Sequence, residues 1–427
     1  MSVDSQGRVM NRISALVLVL ALGGVTQPAW GQEQKTAGPT VRAEIGKPIQ
    51  AALDALKKKQ GKDALARIAE AEAMQDKTQY EVYVIERIRA QASILVGDAA
   101  AAGRAFEKAA FSPAAPAGEK MQVLGAAVSQ YYAAKEYARA AEIADRYFRD
   151  GGTDKAVRTL LIQSLYLGGD FARAAREIAA DVRNQEQAGA TPPEEQLQLL
   201  ADATLKQRDD AAYASALEKL IAYYPKREYW LISIHLLQAR SRLPGRLTLD
   251  LARLKLATGS MRTANEYIEA AQLSLQEGLP GEASKILERG YAANLLGTGP
   301  DADRHRRLQV MATKDLAEDR KTRAQDDAQA ATAADGGALF NAGFNHVLNG
   351  DYDSGLVMME RAVRKGGLKS AEDWRLHLGY AYHLAGRNPK AVETFKAVPG
   401  SAGAAALARL WVLHLERKTG VAAAPPR

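Results

Sequence analysis

The sequence predicts an all-α protein built from stacked helical hairpins, and three observations carry that prediction. Strand signals are nearly absent, since no run alternates apolar and polar residues between turns. Apolar residues make up 47% of the 427 residues while aromatics make up only 6%, and much of the remainder is alanine, which favours helix and close helix approach. Ala-rich segments of about 12 to 16 residues also alternate with short breaks at a near-constant interval.

The breaks set the register. They fall at Gly97, Lys135, Gly169, Arg208, Gly278, Gly350 and Gly386. The first four are 38, 34 and 39 residues apart and the last pair 36 apart, while Gly278 lies about two intervals from both Arg208 and Gly350. Five residues after each break stands a small residue (Ala102, Ala140, Ala174, Ala283, Gly355, Ala391), with Tyr213 the exception. Four further on is a larger one (Phe106, Ile178, Leu217, Leu287, Met359, Phe395), with Ala144 the exception. A glycine can end one helix in a left-handed conformation, the small residue lets the next helix press close, and the bulky one fills the space beneath.

The stretch Leu378 to Phe395 shows the unit most fully, with Leu378, Gly379, Tyr382, Ala391 and Phe395 in order. On these residues the chain resembles the tetratricopeptide repeat family. Trp374 stands one position before the place of the family's tryptophan, which Arg375 occupies. Leu339, Gly343, Gly355, Met359 and Ala362 match more loosely, as do residues 78–110, 118–149 and 153–183, whereas 228–257 and 301–336 match least. The resemblance implies a right-handed α-solenoid of about ten hairpins. No single hairpin buries its apolar face alone, so stacking supplies the core.

Along the chain, residues 1–31 read as a secretory signal peptide. Arg8 and Arg12 precede an apolar run at 13–25, and Ala29 and Gly31 occupy the small-residue positions of a cleavage site. Met10 is an alternative start. No Arg-Arg pair precedes the apolar run, which points to the general secretory route, and the absence of cysteine excludes disulfides and a lipid-anchored cysteine. A periplasmic location is therefore expected. The net charge is +7, and a leader with one acid against two bases would leave +6. Such a charge either serves ordinary solubility or meets acidic envelope polymers or headgroups, more readily than nucleic acid, which is not an expected partner.

Residues 32–45 read as a flexible lead-in, 46–300 as an N-terminal solenoid, and 301–336 as a charged helical linker, solvated or hinge-like, because it lacks an apolar stripe. Asp301 or Asp303 is a plausible cap for that helix. Residues 337–418 read as C-terminal repeats whose last helix, 402–418, caps the stack, and 419–427 as a disordered tail. The paired prolines after residue 190 are expected to open the next helix.

Motifs for catalysis are missing. His235, His305, His346, His377, His383 and His414 include no pair at metal-protease spacing, and there is no nucleophile elbow, phosphate loop or dinucleotide fingerprint. No cofactor or metal is implied. The basic clusters Lys57 to Lys59 and Arg304 to Arg307 read as solvated helix ends that could also touch anionic surfaces.

In the family resembled, the first helix of each hairpin lines a concave groove. Carried over, its first column is Gln91, Ser129, Gln163 and Asp202, and its second Ile94, Tyr132, Tyr166 and Leu205, with Arg87 adding charge at the edge. Amides beside tyrosines suit an extended peptide, though Tyr132 and Tyr166 could instead simply pack between hairpins. The Lys and Asn carboxylate clamp of chaperone-binding members is not reproduced. These features imply a non-enzymatic scaffold that holds a protein or peptide segment in an envelope complex. A binder of cell-wall or exported polysaccharide is the alternative, and a hydrolase built from dispersed carboxylates a third reading.

Overall fold

The computed structural model describes residues 40–240, 243–400 and 402–418; the expected signal peptide, most of the lead-in and the expected tail lie outside them. Twenty α-helices and no strand occur among the described residues. They divide into two compact units, one ending at Lys120 and the other beginning at Met121.

The first unit holds α1 (Ala43–Lys57), α2 (Gly61–Glu72), α3 (Gln79–Leu95) and α4 (Ala99–Ala110). Ile45, Ile49, Ile68, Ile85 and Ile88 from the first three of these form one apolar cluster. A capping box opens α3: Thr78 accepts from the Glu81 backbone and Glu81 accepts from that of Thr78. Glu81 is fully buried because Arg42 also donates to it, from Nε at 3.0 Å, from Nη2 at 3.1 Å and from its backbone at 2.9 Å.

The second unit takes in most of α5 (Ala117–Ala133), then α6 (Tyr137–Arg149), α7 (Lys155–Leu167), α8 (Phe171–Gln187), α9 (Glu194–Lys206) and α10 (Asp210–Tyr223). It continues through α11 (Arg227–Arg240), α12 (Thr248–Ala257), α13 (Ala264–Gln276), α14 (Pro280–Ala292) and the long α15 (Ala302–Thr332). Last come α16 (Gly337–Asn349), α17 (Tyr352–Lys365), α18 (Ala371–Leu384), α19 (Asn388–Lys396) and α20 (Ala402–Lys418).

All seven breaks read from the sequence have positive φ, between 60° at Arg208 and 100° at Gly350. At each, the following N–H donates to the carbonyl five residues back, as from Asp98 to Ser93 at 2.9 Å and from Arg387 to Tyr382 at 2.8 Å. That bond satisfies an orphan carbonyl and turns the chain into the next helix. Asp98, Asp170 and Asp209 then cap that helix through their side chains. Lys59, 38 residues before Gly97, makes the same turn, and Ala64 and Ile68 follow it at the same offsets, both fully buried. The small and large positions after the other breaks are buried too, except Tyr213, which is half-buried.

Where the repeat resemblance is weakest, the pattern departs. Between α11 and α12 stands a 3-10 turn (Gly245–Leu247) in place of a glycine-closed hairpin. The core also crosses the division expected near residue 300: one apolar cluster contains Leu217, Trp230 and Leu254 together with Phe344, Tyr380 and Trp411. Helix α20 lies between α19 and the α10–α12 region, and its Leu407, Trp411 and Leu415 are buried. Residues 302–332 form a single continuous helix that buries only His305, Leu308, Ala312 and Ala330. Asp301 stands at its N-cap without a side-chain capping bond. Pro193 occupies the N-cap of α9. No described helix is long and apolar enough to cross a membrane.

Candidate functional site

The residues carried over from the repeat pattern fall into both units. In the first, Gln91 and Ile94 are exposed on α3. Arg87, expected at a groove edge, is engaged: it donates to the Tyr83 hydroxyl at 2.7 Å and pairs with Glu119, which also accepts from Tyr83 at 2.6 Å. Burial, with the Glu119 hydrogen bond second, pushes the Tyr83 phenol up to about 12.

In the second unit Ser129 and Tyr132 lie on α5, Gln163 and Tyr166 on α7, and Asp202 and Leu205 on α9, so the first helices of three successive hairpins supply them. Two of the six are brought into direct contact. The Tyr166 hydroxyl donates to the Asp202 carboxylate one hairpin onward, and Lys206 donates to the same hydroxyl at 2.5 Å while pairing with Asp202 at 3.1 Å. Burial chiefly, then the Asp202 bond, raises the Tyr166 phenol above its ordinary range. Burial works against the Lys206 ammonium, yet its bonds to Tyr166 and Asp202 raise it on balance.

Sequence reasoning missed Lys206 and the aromatic residues opposite the tyrosines. Tyr132 meets Tyr137 edge-on at 5.8 Å, and Tyr166 meets Phe171 in the same way at 5.5 Å. Each pair spans one turn at a five-residue spacing, with the second ring at the start of the following helix. Lys206 sits 4.5 Å over the Tyr166 ring and 5.2 Å from that of Phe171. The signal was legible, since an aromatic residue stands two positions after the breaks at Lys135 and Gly169.

Two features remain open on this face. Ser129 and Gln163 are half-buried and make no side-chain hydrogen bond among the described residues. Leu167 and Leu205, near the ends of α7 and α9, are 45% and 41% exposed. Charge ties the second helices: Arg173 on α8 pairs with Asp145 on α6 at 2.9 Å, and within one hairpin Arg158 on the first helix α7 reaches Asp181 on α8 at 2.9 Å. Packed tyrosines, a free hydroxyl and amide, and exposed leucines thus lie on the first helices, and a face of that kind can accept an extended chain.

A second constellation, which no motif announced, is buried where the C-terminal hairpins meet α12 and α14. Arg253 has a side chain 2% exposed and donates to both oxygens of Glu282, at 2.8 and 2.7 Å, and to Asp250 at 2.7 Å. His377 Nε2 lies 3.3 Å from the same Asp250 oxygen, and its ring stacks on Phe344 at 4.9 Å. The guanidinium also lies over the Phe344 and Tyr380 rings, at 5.1 and 5.4 Å. Burial pushes the Asp250 carboxyl up, but the charges of His377 and Arg253 outweigh it and hold the group at about 2. The Arg253 guanidinium donates from all three of its nitrogens and is enclosed, so the network ties α12 to α14 through Glu282, while His377 links Asp250 to α18. No group of three or more His, Asp or Glu that could hold a metal occurs among the described residues.

No known family matches the chain, and no curated protein matches it. Solved structures to which it is similar include three repeat proteins. Yeast Tom70 is 11% identical, with 89% of this chain and 97% of that one covered and a TM-score of 0.24. The P58(IPK) TPR domain is 12% identical, with 88% and 100% covered and a TM-score of 0.23. The maize pentatricopeptide repeat protein PPR10 is 14% identical, with 98% and 62% covered and a TM-score of 0.29. At such scores these likenesses add nothing to what the helices and their turns establish.

Proposed function

We propose that this chain is a non-enzymatic scaffold that holds an extended protein or peptide segment along the first-helix face of α5, α7 and α9, and that it serves a complex of the bacterial cell envelope. The observation that supports this reading is the row formed by Tyr132, Tyr166 and exposed Leu167 and Leu205, with Ser129 and Gln163 offering unpaired polar groups beside it. Aromatic and aliphatic residues cover a guest's side chains, and the free Ser129 hydroxyl and Gln163 amide bond its backbone. Asp202 and the Tyr166 hydroxyl bond to each other, so they act as a wall of the site and leave backbone recognition to Gln163 and Ser129. The envelope setting follows from the expected leader and the absence of cysteine.

A photo-crosslinking amino acid placed at Gln163 or at Leu205, in cells of the producing bacterium, is expected to yield one and the same discrete adduct. The same residue at Val357 on α17 should yield none of it. Leu205→Asp should abolish the adduct at Gln163 while leaving helicity unchanged. Equal labelling from all three positions, or an adduct indifferent to Leu205→Asp, would refute the assignment.

A further inference from the structure

The basic cluster Arg304 to Arg307 is not used by the scaffold reading, and its surroundings in α15 give it a chemistry of its own. From Arg304 to Lys314 the helix carries four cations, Arg304, Arg306, Arg307 and Lys314, and no carboxylate. His305, Leu308 and Ala312 turn inward and are buried. The outward face therefore presents Arg307, Val310, Met311 and Lys314 at the three- and four-residue spacing of one helix side, with Arg304 one turn before. Val310 is 64% exposed and Met311 46%. Among the described residues Arg304 and Arg307 have no ion-pair partner, whereas Arg306 pairs with Asp303 at 3.0 Å and Lys314 interacts by charge with Glu318 one turn on.

An exposed apolar pair set between cations stands on the rounded side of a long helix. Asp303, Arg306, Arg307 and Val310 line only a shallow depression there. A peptide needs walls, and this face has none. A lipid surface needs a convex basic face whose apolar side chains reach the acyl boundary while Arg and Lys stay with the headgroups. We infer that the Arg304–Lys314 face of α15 is a docking surface for anionic lipid headgroups, with Val310 and Met311 seated at the interface. The complementarity is one of charge, and the C-terminal half of the same helix limits it, because Asp315, Glu318, Asp319, Asp326 and Asp327 return negative charge there. Only the first three turns would therefore face the lipid. Each cation near such a surface is expected to contribute about fivefold in affinity, and the binding should fall with salt.

The absence of cysteine allows a site-specific test on the full chain. Met311→Cys carrying an environment-sensitive dye is mixed with vesicles of phosphatidylglycerol and phosphatidylethanolamine, and Val357→Cys serves as the control position. A blue shift at 311 but not at 357 is expected. Phosphatidylcholine vesicles should not give it, 0.5 M salt should reverse it, and Arg304→Glu with Arg307→Glu and Lys314→Glu should abolish it while helicity is retained. No shift at 311 on the anionic vesicles at low salt overturns the inference. So does a shift that survives the triple reversal, or one produced by an acidic polypeptide such as polyglutamate and not by vesicles. Reading the dye at 311 keeps any binding by the apolar N-terminal run out of the result.

Discussion

Gly343 and Gly355 face each other across the α16–α17 crossing so closely that a Cβ on Gly355 would stand 2.5 Å from the Gly343 carbonyl oxygen, and one on Gly343 2.7 Å from that of Gly355. Backbone on both sides leaves nothing flexible to yield. The hairpin is closed by main-chain contact, with Met359 and Val347 packed around it. Gly355→Ala is expected to lower unfolding free energy by about 1–3 kcal/mol, read as a shift of the urea midpoint. Val357→Ala, at a 62% exposed position of the same helix, should cost less than about 0.5 kcal/mol. Equal effects of the two would mean that the crossing is looser than described.

The same pair shows how much of the fold the sequence carried. Gly355 was marked by its offset from the break at Gly350, and the left-handed turn, the small residue and the bulky one recur because each meets a local steric demand that one residue type satisfies. Local demands are legible one hairpin at a time. The docking of α20 beside α10–α12 is not, since Trp411 and Trp230 share a core through contacts 181 positions apart and no periodicity announces them. The candidate face was legible only in part. Tyr166 could be placed on it by register, but its bond to Asp202 depends on how far α7 and α9 approach. Arg253 was hidden altogether, because a lone arginine on an amphipathic helix looks solvated until three other helices close over it.

Arg208 and Gly169 occupy the same turn position with φ of 60° and 85°. A side chain in the left-handed region costs about 1–2 kcal/mol relative to glycine, less the glycine's greater freedom in the unfolded chain. Arg208→Gly is therefore expected to stabilise the chain by about 0.5–1 kcal/mol, and Gly169→Ala to destabilise it by about 1 kcal/mol. Nothing lies within 4 Å of a Cβ at Gly169, so the cost there would be conformational and not steric. Differential scanning calorimetry of both variants checks the pair, and a loss of stability in Arg208→Gly would refute the strain assignment.

In the first unit, the Arg42 hydrogen bonds, opposed by burial and helped by the Thr78 backbone, hold the Glu81 carboxyl at about 2 against an ordinary 4.5. A depressed carboxylate stabilises the fold above its unfolded value, and that contribution disappears as pH falls from about 4.5 through about 2. Glu81→Gln should cost about 1–2 kcal/mol at neutral pH, since it weakens the cap and leaves Arg42 without its carboxylate. It should also remove this part of the acid dependence. Hydrogen exchange of the α3 amides at pH 7 and pH 3 reads both effects locally, and an unchanged acid dependence in the variant would refute the assignment.

The Arg253 network makes a prediction about stability and about its dependence on acid. In the intact protein Asp250 sits at about 2 against an ordinary 3.8, so its contribution is complete above about 3.8 and is lost as pH falls through about 2. Arg253→Met leaves Glu282 buried without its cation and Asp250 with His377 as its remaining partner, at an expected cost of about 3–5 kcal/mol. With one of the two charges that lower it gone, burial weighs more on the Asp250 carboxyl, so less of the stability this group supplies near neutral pH is there to be lost on acidification. The urea midpoint of the variant should therefore fall less steeply than that of the parent as pH drops from 3.8 towards about 2. Replacing Asp250 and Glu282 by leucine in the Arg253→Met background should recover most of the loss, because a packed apolar cluster can substitute for a buried ion network. A variant whose midpoint falls as steeply as the parent's, or a stability insensitive to loss of Arg253, would show that the network contributes little to joining α12, α14 and α18.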